Sequence, residues 1–327
     1  MTESAVHGSR RRIRRTGVAA AGFATAALCV VTVAPAVADD GASGAKPTIV
    51  LVHGAFADGS SWNGVIERLE RQGYTVMAPA NPLRGLYSDS TYIASVLKSV
   101  KGPIVLAGHS YGGAVISTAA AGNDQVKSLV YISALMPDVG ESGMSLGARF
   151  PSALGTATRT VPYEAGGGVS GTDLYLKRDK VHPVFAACLP KSQANLLGMT
   201  QRPAATTAFS ETAKVAAWKT IPSWALVGRQ DMTISPDQER FEAKRAHSHT
   251  VEINSCHVSL IAHPADVAAL ILQAATATAT AGGSDRPALA NTGSVQRTAV
   301  VTGLASASLA TGSAVVLLGR RLRRRTY

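Results

Sequence analysis

"VLAGHSYGGAV", residues 105–115, sets one serine between glycines where a β-branched run gives way to an alanine-rich stretch. In a chain with 31 glycines the five-residue pattern GxSxG arises readily by chance, so the pattern alone decides nothing. Its flanks carry the decision. "PIVLA" (103–107) is a short apolar run without alternation, the pattern of a strand covered on both faces, and "YGGAVISTAA" (111–120) opens a helix. A serine between that strand and that helix sits in a sharp turn, where Gly108 and Gly112 let the backbone approach closely. The start of the helix also aims free N–H groups and the positive end of a dipole at the same spot.

Outward from Ser110 the two patterns alternate. "TIVLV" (48–52), "YTVMA" (74–78), "SLVYIS" (128–133), "WALVG" (224–228) and "TVEIN" (250–254) read as further buried strands, and 60–72, 89–99, 112–121, 236–246 and 265–274 as helices. Such alternation predicts an α/β domain over 47–275, a mostly parallel, doubly wound sheet of about six strands. Between about 136 and 220 no convincing strand appears, and segments such as "PVFAACLPKSQANLLGM" are helix-like. An insertion between strands, at the end where parallel strands present ligands, predicts a mainly helical cap over a site.

A hydroxyl is a poor nucleophile, so Ser110 needs a base to take its proton and an acid to orient that base. Past the cap, Asp231 follows one apolar strand and His257 follows the last, in the chain order serine, acid, histidine. Asp138, just after the strand 128–133, is the competing acid, while Asp237 and Glu239 fall inside a helical pattern and read as solvated. His247, His249 and His263 read as structural or exposed, and His182 in the cap stays ambiguous. With no HExxH and no cysteine pairs, no metal site and no cofactor are expected. The oxyanion formed on attack needs two donors. One is the N–H of Tyr111, and the other is that of Ala55 in "LVHGAF" (51–56), with His53 as a stabiliser of that loop. Phe56, Tyr111, Phe185, Leu189 and Leu196 are the candidate lining of an apolar substrate pocket.

"VLVHGAFADGSSW", "GYTVMAPANP", "VLAGHSYGG", "VGRQDMTISP" and "HVSLIAHP" together resemble the α/β-hydrolase superfamily over nearly all of 47–275, in particular its small esterase and hydroxynitrile-lyase branch. The resemblance implies Ser110 as nucleophile, His257 as base, Asp231 as orienting acid, and Ala55 and Tyr111 as oxyanion donors. Lyase members carry a threonine where this chain has Gly54, and a lysine after the catalytic histidine where it has Val258. Both departures point to ester hydrolysis. The expected activity is a serine carboxylesterase on small or medium esters. A related lyase or other acyl-transfer enzyme, or a catalytically silent binding protein on the same scaffold, are the alternatives.

The net charge of +11 is a property of the ends. Eleven of the 32 basic residues are arginines within 1–38 and 293–327, against one acid there, Glu3. The intervening chain is close to neutral, which removes the compositional case for a nucleic-acid partner. "SRRRIRR", the apolar stretch 17–37 and the small residues Ala36, Val37 and Ala38 read as an export signal peptide over 1–38. Ser9, Arg10 and Arg11 leave twin-arginine export open as a variant, and 39–46 begin the mature chain. At the other end, "LANTG" (289–293), the uncharged run 298–319 and the arginine-rich tail 320–327 resemble the LAxTG cell-wall sorting signals of Gram-positive bacteria. The run would span roughly 33 Å as a helix, enough to cross a bilayer, so plain membrane retention is the alternative. The resemblance implies that a sortase cuts between Thr292 and Gly293 and joins Thr292 to peptidoglycan, giving a secreted, wall-anchored protein. Residues 276–288, rich in Ala, Thr and Gly, read as a linker. Cys188 and Cys256 remain after loss of the leader, and the sequence leaves their pairing open.

Overall fold

The computed structural model of the chain describes residues 46–284. The segments expected to be the export signal, the first mature residues to 45, the last part of the 276–288 linker, LANTG, the span 298–319 and the basic tail all lie outside the described residues. Among the described residues no helix is long and apolar enough to cross a membrane.

The first half of the core runs β1 (Thr48–Val52), α1 (Asn63–Arg71), β2 (Val76–Met77), α2 (Leu86–Ser99), β3 (Ile104–His109), α3 (Tyr111–Ala119) and β4 (Val126–Ile132). The cap follows: α4 (Gly143–Arg149), α5 (Leu154–Ala157), β5 (Thr158–Glu164), β6 (Ser170–Leu176), α6 (Arg178–Lys180), α7 (Lys191–Thr200), β7 (Ala204–Ala205) and α8 (Thr206–Ser210). The chain then returns through β8 (Ser223–Gly228), α9 (Pro236–Arg245), β9 (His249–Ile253), α10 (Ser259–Ala262) and α11 (Pro264–Ser284).

The main sheet has the order β2-β1-β3-β4-β8-β9, every neighbouring pair parallel. Every residue of β3 and β8 is buried, as continuous apolar runs require when helices cover both faces. The strand order reverses between β1 and β3, where β2 lies to one side and β3 to the other. At such a reversal the loops leaving the two strands part and open a crevice at their carboxyl ends. The loop after β1 carries Gly54 and Ala55, and the turn after β3 carries Ser110.

The regular structure of the cap is mostly helical, as its sequence predicts. Besides its helices it holds a three-stranded antiparallel sheet of order β5-β6-β7. In β5, "TRTVPYE", half-buried and exposed residues mix with few apolar side chains, so no apolar run marks it. Its Pro162 is tolerated because β5 lies at the sheet's edge. The "AGGG" stretch is the hairpin turn, with Gly166, Gly167 and Gly168 all at positive φ.

Residues 276–284, read from composition as the start of a linker, are helical, since α11 continues through Ser284. Alanine is the best helix former. Thr278, 5% exposed, turns inward and bonds Ser128 Oγ of β4 at 2.7 Å.

Candidate active site

Ser110 stands between β3 and α3 with φ 54° and ψ −126°, in the positive-φ region that side chains avoid. Three backbone bonds over-determine it: Ser110 N–H donates to Ile132 O at 3.2 Å, and Ser110 O accepts from Gly113 N at 2.9 Å and Leu135 N at 3.1 Å. The glycines around it are there for want of space. A Cβ on Gly108 would stand 2.6 Å from Gly112 O, and one on Gly112 or Gly113 would strike the carbonyl of Val52 or Leu135. Gly54 is equally constrained, because its Cβ would lie 2.6 Å from Ser110 Cβ and 2.8 Å from His109 O. The loop after β1 thus rests directly on the serine.

The N–H groups of Ala55 and Tyr111 donate no hydrogen bond to any other described residue. The next residue, Phe56, has φ 63° and donates its N–H to Arg202 O of the cap at 3.0 Å, which fixes the loop in place. His53 fixes it from below. Its Nε2 accepts from Asn81 N–H at 2.9 Å, so the proton is on Nδ1, which faces Gly54 O at 3.0 Å. Burial holds the His53 imidazole below its ordinary pKa, in keeping with a neutral, loop-stabilising ring.

Asp231 and His257 meet in the loops after β8 and β9. His257 Nδ1 donates to Asp231 Oδ2 at 2.6 Å, with both side chains fully buried. Asp231 Oδ1 accepts the N–H groups of Thr233 at 2.7 Å and Ile234 at 2.9 Å, which orient the carboxylate. His257 Nε2 is buried and has no hydrogen-bond partner among the described residues. His109, the residue before Ser110, joins the histidine to the serine turn. Its ring lies 4.8 Å from that of His257, and its Nε2 donates to His257 O at 3.1 Å. Burial, then the proximity of His257, hold the His109 imidazole well below its ordinary pKa, so it remains a neutral donor. No hydrogen bond joins Ser110 Oγ to His257 Nε2. Hydrogen bonds of this kind commonly tighten only when substrate enters.

Asp138, the competing acid, pairs with Lys219 on the surface and takes no part. Asp237 is exposed and pairs with Arg240. Glu239, read from sequence as solvated, is 3% exposed. The inward face of α9, "PDQERFEAKR", carries Gln238, Glu239 and Glu242, so no apolar period marks it. His109 escaped notice for another reason: it fills the variable position of GxSxG.

A cavity of about 480 Å³ opens on Ser110, walled by Ala55, Phe56, Leu135, Phe209, Ile234 and a cap edge running from Gly143 to Thr158. No charged side chain lines it. Phe56 belongs to this wall, but Phe185 and Leu189 do not. Phe185 is buried behind it, edge-on to Phe56 at 6.1 Å and 5.2 Å from the His257 ring, where it shields the imidazole from water. Leu189 is buried in the cap, Leu196 is exposed on α7, and the Tyr111 ring enters the core to donate its hydroxyl to Asp89 at 2.8 Å. Aromatic and aliphatic content alone cannot separate a cavity wall from the layer behind it. A larger recess of about 740 Å³ lies at the other end of the sheet, around Gly122 and Pro222, away from Ser110.

Cys188 and Cys256 are joined, with Cα atoms 5.4 Å apart. The bond ties the cap loop before α7 to the residue next to His257. Among the described residues no cluster of His, Cys, Asp and Glu could hold a metal ion.

The sequence model of the alpha/beta hydrolase family matches residues 49–270. An alpha/beta hydrolase of Aspergillus novofumigatus is 27% identical over 253 residues, 70% of this chain and 97% of that protein. A carbendazim hydrolyzing esterase of a Nocardioides species is 33% identical over 110 residues, covering 30% of this chain and 46% of that relative. Among solved structures, polyneuridine aldehyde esterase superposes with a TM-score of 0.61 at 19% identity, over 70% of this chain and 98% of its own.

Proposed function

The chain belongs to the alpha/beta hydrolase family, and on that footing we propose that it is a serine hydrolase cleaving small or medium carboxylic esters through an acyl-enzyme. The observation that carries this reading is a buried His257 whose Nδ1 is held at 2.6 Å by Asp231, whose Nε2 has no partner among the described residues, and which is joined through His109 to the turn that fixes Ser110 at positive φ. When substrate fills the cavity, Nε2 takes the Ser110 proton as Oγ attacks the ester carbonyl. The tetrahedral oxyanion is met by the N–H groups of Ala55 and Tyr111, which no other described residue occupies. His257 then gives the proton to the departing alcohol and activates the water that frees the acid, while Asp231 stabilises the imidazolium throughout.

The uncharged cavity wall favours esters whose acyl and alcohol groups are both neutral. The similarity to a carbendazim hydrolyzing esterase supports the esterase reading. Hydrolysis is favoured over cyanohydrin cleavage by Gly54, since the threonine that lyase members place there would collide with Ser110. The arginine-rich leader and the LANTG segment support export and sortase-mediated joining of Thr292 to the cell wall, with cleavage before Gly293.

A panel of nitrophenyl esters of rising acyl length, run beside mandelonitrile, tests the activity. The expected result is ester turnover that disappears in Ser110→Ala. Cyanide release without ester turnover would assign the lyase instead, and turnover of neither would favour a silent scaffold.

A further inference from the structure

Glu239 lies on the inward face of α9, 3% exposed, and takes no part in the steps above. Its surroundings are fully accounted for except at one atom. Oε2 accepts the N–H of Gly228 at 3.2 Å, whereas the buried Oε1 has no donor among the described residues. Asp231 is the mirror case. A carboxylate offers about four lone-pair sites. On Asp231, Thr233 and Ile234 fill both sites of Oδ1, and His257 fills one of Oδ2. One acceptor site is left, on the oxygen that holds the histidine.

The two carboxyl groups are neighbours across Gly228, whose N–H reaches Glu239 Oε2 at 3.2 Å and whose carbonyl accepts the Asp231 N–H at 3.0 Å, and a bond from the orphaned Oε1 to the open site on Asp231 would satisfy both. Two carboxylates cannot make such a bond, because neither owns a hydrogen. A bond there requires one proton between them. Asp231 receives three donors and Glu239 one, so the negative charge is better stabilised on Asp231 and the proton resides on Glu239. We propose that Glu239 is a positioning residue of the active site: a neutral acid whose Oε1–H donates to Asp231 and holds its carboxylate against His257. The inference rests on the serine-hydrolase reading for its kinetic consequence, but the bond itself does not depend on it.

The charges around Glu239 agree. Burial, then Asp231, push its carboxyl well above the usual range, the Gly228 N–H pulls it down, and Glu242 one turn along α9 adds to the upward push. Beyond Glu242, Arg245 is engaged by Glu141 at 2.8 Å, and beyond Asp231 stands His257. When rising pH removes the Glu239 proton, two buried carboxylates face each other and Asp231 is driven from its place, so activity falls on the alkaline side.

Glu239→Gln and Glu239→Leu test this in the full chain. Glutamine keeps an N–H donor for Asp231 but has no proton to lose, whereas leucine supplies no donor. The expected result is a kcat about tenfold lower in Glu239→Leu with KM little changed, most of it recovered in Glu239→Gln. The alkaline fall of kcat should be present in the native chain and absent in Glu239→Gln. The low-field ¹H resonance of His257 Nδ1–H, read by NMR without turnover, should shift in Glu239→Leu and be largely restored in Glu239→Gln. An alkaline limb unchanged in Glu239→Gln would overturn the proposal. So would an Nδ1–H resonance the same in all three proteins, and the NMR result stands whether or not esters prove to be substrates. Should Glu239→Leu fail to fold, native against Glu239→Gln decides by the pH profile and the resonance.

Discussion

Ser110 is held at φ 54°, a conformation that costs on the order of 1–3 kcal/mol for a residue with a side chain. It persists because the bonds to Ile132, Gly113 and Leu135 and the glycines at 108, 112 and 113 leave the turn no other path. The strain exposes Oγ to the cavity while the backbone stays pinned. Gly54 is the companion constraint on the facing loop, and the smallest possible side chain there already overlaps Ser110. Gly54→Ala should therefore push the β1 loop and its Ala55 N–H away from the serine. The expected outcome is a fall of about a hundredfold in kcat/KM for a nitrophenyl ester. Activity close to native would mean that the loop has slack absent from the packing described. Gly108 and Gly112 were legible in the sequence as requirements of a tight turn, whereas the contacts that constrain Gly54 and Gly113 come from other strands and loops. His109 was not legible either, because a histidine before the serine acquires its role only when β9 brings the His257 carbonyl to within 3.1 Å of it.

At the scale of the element, α9 departs most from its sequence pattern. A helix reading PDQERFEAKR presents no apolar stripe, yet Gln238, Glu239 and Glu242 face inward. Glu242 is fully buried and accepts the Met136 N–H at 2.7 Å and Gln238 Nε2 at 3.3 Å. Burial pushes its carboxyl from 4.5 up to about 8. Between those values the folded chain holds a proton that the unfolded chain has released, so stability is full below about pH 4.5 and declines as pH rises through about 8. Denaturant midpoints measured from pH 5 to pH 8 should fall, and in Glu242→Gln the fall should be smaller, since glutamine still accepts from Met136 but does not titrate. An identical pH slope in the two proteins would remove Glu242 as its source. The cap strands β5 and β6 escaped sequence reading for a related reason: they are stabilised by pairing with each other and by the glycine turn at 166–168, and bury no continuous apolar run.

For the molecule as a whole, the sheet order does the positioning. Reversal between β1 and β3 brings the Gly54 loop against Ser110, and the return of the chain after the cap brings Asp231 and His257 to the same edge. The central strands were legible because burial on both faces forces β-branched runs, and the serine, acid and histidine because each follows such a run. The cavity wall was not legible, since it depends on how the cap folds back, and Phe185 and Leu189 fall behind it. The Cys188–Cys256 bond was equally hidden, for 68 residues separate two positions that only the cap brings together. It fastens the cap to the segment that carries His257. The central claim is that this convergence makes one serine hydroxyl uniquely nucleophilic. It is tested most directly by treating the intact chain with a fluorophosphonate ester and locating the adduct by peptide mass spectrometry. The account predicts one adduct per chain, on Ser110, formed far more slowly in His257→Ala and absent in Ser110→Ala. An adduct on another residue, or labelling of Ser110 at an undiminished rate in His257→Ala, would contradict it.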